Sequence, residues 1–379
     1  MIRALRFAVD HYLVVPLGVA IGLVWANTWS ESYFRMSQAG SFAINNIGMA
    51  FVLAYLMQEA VEAMLPGGTL HPWRRAMLPI VAAAGGLIGS AVVYQVYVIS
   101  LADEPVLAVG WPIVCAVDIA LSFLVAKSIF RHNPAAVTFV LMLTIATDAA
   151  GLWLISRRYP SRDVYPLALT FVIAAIAGAI WLRRAHVRSF WPYLLIAGTV
   201  SWWACFWGGV HPALALLPIV PFLQHSARKL DPVADHAHGR HQSGGHFEYV
   251  FRYPVQVVMF LFGLLNGGVL VRGFGAGTWA VLTAAVVGRP LGILIAVGLA
   301  VLAGLQLPHR LGWRDMVVIA MAASSGFTFA LFFSTAVFPV GPTLIQVEMG
   351  ALATVAGALL AAAAARLLHV GRFATSEAR

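Results

Sequence analysis

The sequence has few charged residues and almost no cysteine. Only 10% of its 379 residues are Asp, Glu, Lys or Arg, whereas soluble domains have about 25%. Hydrophobic residues make up 61% and the mean hydropathy is +0.84. This composition excludes a soluble domain and predicts an integral membrane protein. The two cysteines, Cys115 and Cys205, both lie in apolar runs, which argues against a disulfide framework or a metal site built on them.

Several functional motifs are also missing. No motif for ATP, flavin or metal binding is apparent, so we expect no cofactor, no metal and no enzyme activity. No small-residue cleavage pattern follows the first apolar run, which we interpret as a span that is retained rather than a signal peptide. The net charge of +9 is more simply explained by cationic loops on the cytoplasmic side than by a nucleic-acid partner.

What the sequence does contain is a series of apolar runs long enough to cross a bilayer, each needing about 20 residues. They predict an all-α polytopic fold with about twelve transmembrane helices. The runs lie near residues 8–28, 42–64, 76–100, 108–130, 135–156, 164–182, 190–207, 209–224, 250–271, 278–304, 315–339 and 344–369. The eighth run contains Pro212, Pro218 and Pro221.

The distribution of Lys and Arg predicts the orientation. With twelve spans both termini share a side, and most Lys and Arg residues lie on that side. The positive-inside rule therefore places both termini in the cytoplasm. The exceptions on the opposite side are Arg35, Arg157, Arg158, Arg162 and Arg272.

A carboxylate lies inside the fourth apolar run. Asp118 follows Pro112 by six residues, and a charge at mid-membrane depth costs about 2.5–3.5 kcal/mol on insertion scales, so such residues are usually functional. The proline predicts a broken helix with freed carbonyls beside the carboxylate. Two further intramembrane charges are present, Asp148 and Arg289. We expect the function of the protein to involve these three residues.

Secondary transporters often bind their ions where two interrupted helices cross. The eleventh run supplies a second interruption at residues 321–328, with Ser324 and Ser325. The fifth run adds Thr147 beside Asp148, and the tenth adds the segment 288–292 around Arg289.

Seven segments resemble, in order, those of the NhaA family of sodium/proton antiporters, and the resemblance covers nearly the whole chain. They are Ile44-Asn45-Asn46 leading to Glu59, residues 79–86, Val117-Asp118-Ile119-Ala120, Gly209-Val210-His211, Asn266-Gly267-Gly268, Gly288-Arg289-Pro290-Leu291-Gly292 and Gly326-Phe327-Thr328. Each segment alone is a weak signal, whereas the ordered set is specific.

The resemblance implies inverted repeats whose fourth and eleventh helices are broken and cross. It implies a core domain at about 76–156 and 278–369, and an interface or dimerisation domain at about 8–64 and 164–271. It further implies a homodimer in a bacterial-type inner membrane that exchanges Na⁺, or another monovalent cation, for protons. The implied ion-binding and proton-binding residues are Asp118, Asp148, Thr147, Ser324 and Ser325, with Arg289 as charge compensation and His211, Glu59 and Glu248 as candidates for pH response.

The sequence departs from the family at three positions. The second of two adjacent aspartates in the fifth helix is Ala149, the lysine of the tenth is Arg289, and the threonine before Asp118 is Val117. Because Arg stays charged at any reachable pH, we expect a permanent bidentate ion pair with Asp148. Asp118 would then be the only readily titratable carboxylate, which favours electroneutral exchange over exchange of two protons for one Na⁺.

Other interpretations remain open. The pair of Asp148 with Arg289 can be purely structural, and Asp118 can be a protonated cap of a helix end. The chain can also be an NhaA-like protein without transport, with a structural or sensory role, or a carrier of another ion such as an anion. The loop at 225–247 is either a metal site or pH sensor, or a polar linker; its histidines are His225, His236, His238, His241 and His246.

Overall fold

The computed structural model describes residues 14–102, 104–131, 133–160, 163–223, 243–308 and 310–374. Within these ranges the chain forms helices and no strand. Seven helices are long and apolar enough to cross a membrane, and two more pairs of helices are each broken by a sharp bend. The all-α polytopic class is confirmed, whereas the number of twelve spans stays a prediction. Most of the histidine-rich loop lies outside the described residues.

Most of the helices are joined by short connections, and the longest interval, residues 209–242, separates α7 from α8. The first half of the chain contains α1 (Val14–Thr28), α2 (Ser30–Met64), α3 (Trp73–Ala102), a 3₁₀ helix (Pro105–Cys115), α4 (Ile119–Ile129) and α5 (Pro134–Arg158). The second half contains α6 (Pro166–Arg184), α7 (Thr199–Gly208), α8 (Ser243–Asn266), α9 (Ala276–Leu302), α10 (Trp313–Ala322), α11 (Phe327–Val337), α12 (Pro342–Ala353) and α13 (Ala356–Leu367).

Local sequence explains several helix boundaries. Pro134 and Pro342 stand at the first position of α5 and α12, where the missing N–H is not needed and the fixed φ suits a helix. Gly209 ends α7 with φ 72°, the left-handed conformation that glycine adopts without a steric penalty. Turns of π-helix interrupt α2 at Ala43–Gly48 and α9 at Ala284–Gly288.

The predicted eighth span at 209–224 is not a continuous helix. Its described part contains two short 3₁₀ turns, Pro212–Leu214 and Val220–Phe222. Pro212 and Pro221 lie at the start of these turns, where proline is tolerated, but a proline further along a helix removes a backbone donor. The segment is therefore irregular, and its crossing of the membrane stays a prediction.

Glycines allow α3 and α9 to pack closely. Gly85 and Gly89 of α3 face Gly288 and Gly292 of α9, and a Cβ added at Gly292 would overlap the carbonyl oxygen of Gly85. Small residues at such spacing bring membrane helices close together. This contact fixes the position of α9, and with it that of Arg289 at its centre.

Substituting Gly292 with Ala is expected to destabilise the protein by about 1–3 kcal/mol, because the added methyl group overpacks the contact between α3 and α9. The melting temperature of the detergent-purified protein measures the effect. Gly298→Ala in the same helix is the matched control, since the nearest atom to its added Cβ is in the Trp313 ring at 3.9 Å. Equal melting temperatures for both variants would contradict the proposed close packing.

Candidate ion-binding site

Two broken spans meet in the middle of the molecule. The 3₁₀ helix and α4 are bent by 51° and α10 and α11 by 48°, at breaks that include Asp118 and residues 323–326. The backbone N–H of Asp118 donates to the carbonyl of Ser325 at 2.7 Å. The Ser122 hydroxyl donates to the carbonyl of Ala322 at 2.9 Å. The two interruptions predicted from the sequence are thus in direct contact.

Asp118 accepts hydrogen bonds from the N-terminal ends of α4 and α11, the second helices of the two broken spans. It is the N-cap of α4, where its Oδ1 accepts from the Leu121 N–H at 2.7 Å. Its Oδ2 accepts from the Thr328 N–H of α11 at 3.1 Å and also from the Thr328 hydroxyl. The first N–H groups of a helix lack partners within the helix and carry partial positive charge. Two such helix ends therefore stabilise one buried carboxylate.

Arg289 donates hydrogen bonds to the C-terminal ends of the 3₁₀ helix and α10, the first helices of the two broken spans. One Nη donates to the carbonyl of Ala323 at 3.0 Å, and the other donates to the carbonyl of Val114. Val114 lies in the last turn of the 3₁₀ helix and Ala323 directly follows α10, where carbonyls have no partner within their own helices. A buried guanidinium compensates the partial negative charge of both helix ends.

The predicted bidentate ion pair between Asp148 and Arg289 is wrong. Within the described ranges these two side chains form no ion pair. Asp148 is buried, its Oδ1 accepts from the Val117 N–H at 3.0 Å, and its Oδ2 has no hydrogen-bond partner. The carbonyls freed by the two breaks bind the guanidinium instead, and their positions could not be inferred from the spacing of charges along the chain.

A small cavity of about 10 Å³ reaches Asp118. Asp118 and Thr328 are the polar side chains among the residues that line it, and Asp148, Ser325 and Arg289 do not line it. The other walls come from α1, α2, α8, α4 and α11, through Val15, Met49, Val52, Met259, Phe262, Ile119, Ala120 and Phe329. Among the described residues, Asp118 is the one carboxylate that a cation in this cavity would contact.

The remaining predicted supporting residues lie near the crossing without joining this cavity. The Thr147 hydroxyl donates to the carbonyl of Leu143 at 2.7 Å, and the Ser324 hydroxyl to that of Met321 at 2.6 Å. The Ser325 hydroxyl is buried and has no partner. Thr328 is the hydroxyl that contacts Asp118, and it was not among the predicted site residues although it belongs to the Gly-Phe-Thr segment.

His211 lies at a separate vestibule of about 630 Å³, which Tyr159, Asp163 and Thr335 also line. The imidazole Nδ1 accepts from the Ala213 N–H at 3.3 Å, and the ring packs edge to face on Phe332 with centroids 5.6 Å apart. The histidine therefore caps a 3₁₀ turn at the mouth of the vestibule. Its predicted role in pH response stays a prediction.

Three phenylalanines separate the vestibule from the cavity. Phe262 of α8 contacts Phe329 and Phe332 of α11, with ring centroids 5.1 and 5.9 Å apart. Phe262 and Phe329 line the Asp118 cavity, whereas Phe332 lines the vestibule with His211. In this conformation apolar rings block the path from the vestibule to Asp118.

Glu59 and Glu248 come together at the end of α2. With Glu62, Tyr55 and Gln58 they line a pocket of about 40 Å³. Because successive spans alternate in direction, this end of α2 and the Tyr159 end of α5 lie on opposite sides of the molecule. The acidic pocket and the vestibule therefore open on opposite sides, with Asp118 between them, and a role of the glutamates in pH response stays a prediction.

Two broken helices that cross around a buried carboxylate are typical of secondary transporters. The sequence profile of the family described as Na⁺/H⁺ antiporter 1 matches residues 10–368. The chain belongs to this family, which confirms the resemblance noted in the sequence.

The chain is similar over its length to curated relatives named as Na⁺/H⁺ antiporters. It is 36% identical over 386 aligned residues to the Na⁺/H⁺ antiporter NhaA of Desulfitobacterium hafniense, covering 99% of both chains. It is 36% identical to the Na⁺/H⁺ antiporter NhaA 1 of Pelobacter propionicus, covering 94% of this chain and 96% of that one. The sodium proton antiporter MjNhaP1 of Methanocaldococcus jannaschii shares the fold, with a TM-score of 0.58 at 16% identity, covering 95% of this chain and 92% of that one.

Proposed function

We propose that this chain exchanges Na⁺ for protons across the membrane, by alternating access about Asp118. The observation that supports this most directly is the cavity at the crossing, where Asp118 is the only carboxylate among the described residues that line it. An ionised carboxylate and a hydroxyl oxygen are ligands that suit a hard cation. Thr328 supplies that hydroxyl, since it already contacts Oδ2 of Asp118.

Proton and cation compete for the same carboxylate in this mechanism. Protonated Asp118 has no charge with which to bind Na⁺, and a bound Na⁺ prevents protonation. Carrying one ion in each direction therefore produces exchange without a separate coupling device. The same competition makes transport depend on pH, because a high proton concentration keeps the carboxylate neutral.

The cavity lies between two groups of helices, which suggests how access alternates. Asp118 and Thr328 belong to the broken spans, whereas the opposite wall comes from α1, α2 and α8. We propose that the predicted core domain, residues 76–156 and 278–369, moves against the predicted interface domain, residues 8–64 and 164–271. The movement would separate Phe262 from Phe329 and Phe332 and open the vestibule. The proposal includes cytoplasmic termini, a bacterial inner membrane and a homodimer.

The departures from the family favour exchange of one proton for one Na⁺. Ala149 can neither bind a cation nor carry a proton, and Asp148 does not line the cavity. Arg289 keeps its charge because guanidinium does not lose a proton at reachable pH. One carboxylate thus alternates between one proton and one monovalent cation, so no net charge moves.

The alternative functions have no support in these observations. An anion carrier would need an available cationic group, but the Arg289 guanidinium is bound to the carbonyls of Val114 and Ala323. A chain without transport would need Asp118 only for its contacts with α4 and α11, whereas Asp118 also lines the cavity together with Thr328.

Purified protein in proteoliposomes tests the proposal. An imposed Na⁺ gradient is expected to drive proton flux, and Li⁺ and K⁺ gradients establish which cations are accepted. A membrane potential set with K⁺ and valinomycin is expected to leave the initial rate of Na⁺-driven flux unchanged, since the exchange moves no net charge. A flux that follows the potential would contradict the one-for-one exchange, and an absence of flux with every cation would contradict antiport itself.

A further inference from the structure

The last membrane span contacts the break between α10 and α11. This span is irregular at residues 354–355, which separate α12 from α13. The Thr354 side chain is buried, and its hydroxyl oxygen accepts from the Gly326 N–H at 3.1 Å and from the Phe327 N–H at 3.0 Å. The same hydroxyl donates to the carbonyl of Ala351 at 2.6 Å. One donor and two acceptor positions are the full capacity of a hydroxyl group.

The N–H groups at the start of α11 have acceptors outside their own helix. The N-cap position of α11 is Gly326, which has no side chain with which to bind the first N–H groups of the helix. Ser, Thr, Asp or Asn at the N-cap usually accepts from an N–H two or three residues further on. In α11 the first of these belongs to Thr328, and Asp118 accepts from it. Thr354 from another span accepts from the two preceding N–H groups, those of Gly326 and Phe327. The contrast with α4 is direct, because Asp118 caps that helix from its own N-cap position.

The N–H groups at the start of α11 are shared between Thr354 and Asp118, and this sharing affects the Asp118 carboxylate. Three consecutive amides begin α11, and Thr354 binds the first two, so Asp118 receives only the Thr328 N–H and the Thr328 hydroxyl. Hydrogen bonds and helix N-termini that face a carboxylate favour its ionised form. The number of amides left for Asp118 therefore influences how readily it takes up a proton.

The position of Thr354 is maintained by a small residue one turn later. Gly357 lies against Ser324, and a Cβ at position 357 would overlap the Ser324 hydroxyl oxygen and approach the Ser325 N at 3.1 Å. A larger residue there would move the last span away from the break. Thr354 and Gly357 thus form one contact surface against residues 324–327.

We propose that Thr354 is a positioning residue for ion exchange: it holds the start of α11 and limits the donors that face Asp118. This inference rests on the proposed exchange at Asp118. Thr354 is the threonine in a run of mostly small residues, 350–365, whose composition alone indicates close helix packing.

The other charged groups at the crossing are fixed by separate contacts. Asp148 of α5 binds the Val117 N–H, and Arg289 of α9 binds two carbonyls. Glu348 of α12 does not line the cavity, and the residues that α1, α2 and α8 place there are not titratable: Val15, Met49, Val52, Met259 and Phe262. A change at Thr354 therefore reaches the exchange through α11 and Asp118.

Thr354→Val keeps the shape of the side chain and removes the hydroxyl. The Gly326 and Phe327 N–H groups then lose their acceptor. Their partial positive charge is no longer compensated by the Thr354 oxygen, and it favours the ionised form of Asp118. We expect the pH profile of Na⁺-driven flux to shift to lower pH by about half a unit to one unit. Thr354→Ser is expected to restore the native profile, and Gly357→Ala, which displaces the last span, to shift it in the same direction as Thr354→Val.

The control is Thr144→Val in α5, which also removes a buried hydroxyl, one that bonds only to the carbonyl of Leu141. Its profile should equal that of the native chain. A native profile in both Thr354→Val and Gly357→Ala would overturn the proposal, as would a shift in Thr354→Ser equal to that in Thr354→Val. If Thr354→Val does not fold, Gly357→Ala alone decides. Absence of flux in the native chain would instead refute the proposed function.

Discussion

Asp118→Asn is expected to reduce cation-dependent proton flux to the level of protein-free liposomes. The amide has nearly the same shape as the carboxylate, but it can neither take up a proton nor bind Na⁺ through a negative charge. Its oxygen can still accept from the Leu121 N–H, so the cap of α4 is retained and the variant should fold. The measurement is the initial rate of Na⁺-driven flux, with the melting temperature as the check on folding.

Asp148→Asn is the matched control, because it removes the other carboxylate of the crossing by the same chemical change. Its oxygen can still accept from the Val117 N–H, and the residue does not line the cavity. We expect this variant to keep cation-dependent flux. Complete loss of flux in both variants would show that two carboxylates are needed, and would contradict the one-for-one mechanism.

The sequence was sufficient to locate the two breaks. A carboxylate in an apolar run and a proline before it indicated the first, and the polar interruption around Ser324 and Ser325 indicated the second. Both predictions depend on energetic penalties that the local sequence determines. A charge inside the membrane needs partners, and a proline removes a backbone hydrogen-bond donor. The structure confirms bends of 51° and 48° at these places.

The pairing of groups across the crossing could not be predicted in the same way. Formal charges suggested that Arg289 would bind Asp148, but the guanidinium binds carbonyls that became available only because the helices end there. Backbone groups have no signal in the sequence, so neither this contact nor the binding of the first α11 amides by Thr354 follows from residue spacing. The eighth predicted span lacks a continuous helix for a different reason. Hydropathy counts apolar residues and takes no account of the three prolines in the segment.

Arg289→Met is expected to lower both the stability and the exchange rate strongly. Methionine can fill much of the buried volume, but it offers no donor to the carbonyls of Val114 and Ala323. A buried carbonyl left without a partner costs about 1–3 kcal/mol, and the partial negative charges of two helix ends would remain uncompensated. The breaks would then reorganise, and Asp118 lies between them. Melting temperature and Na⁺-driven flux measure the two effects.

Two further variants separate charge compensation from a general effect of losing an arginine. Arg272→Met removes an exposed arginine between α8 and α9 and should leave melting temperature and flux unchanged. Arg289→Lys keeps a positive charge with three donors but loses the planar fork, so partial activity is expected. Because a buried lysine can lose its proton, the flux of this variant should fall more steeply towards high pH than that of the native chain. A native melting temperature in Arg289→Met would refute the compensation of the helix ends by Arg289.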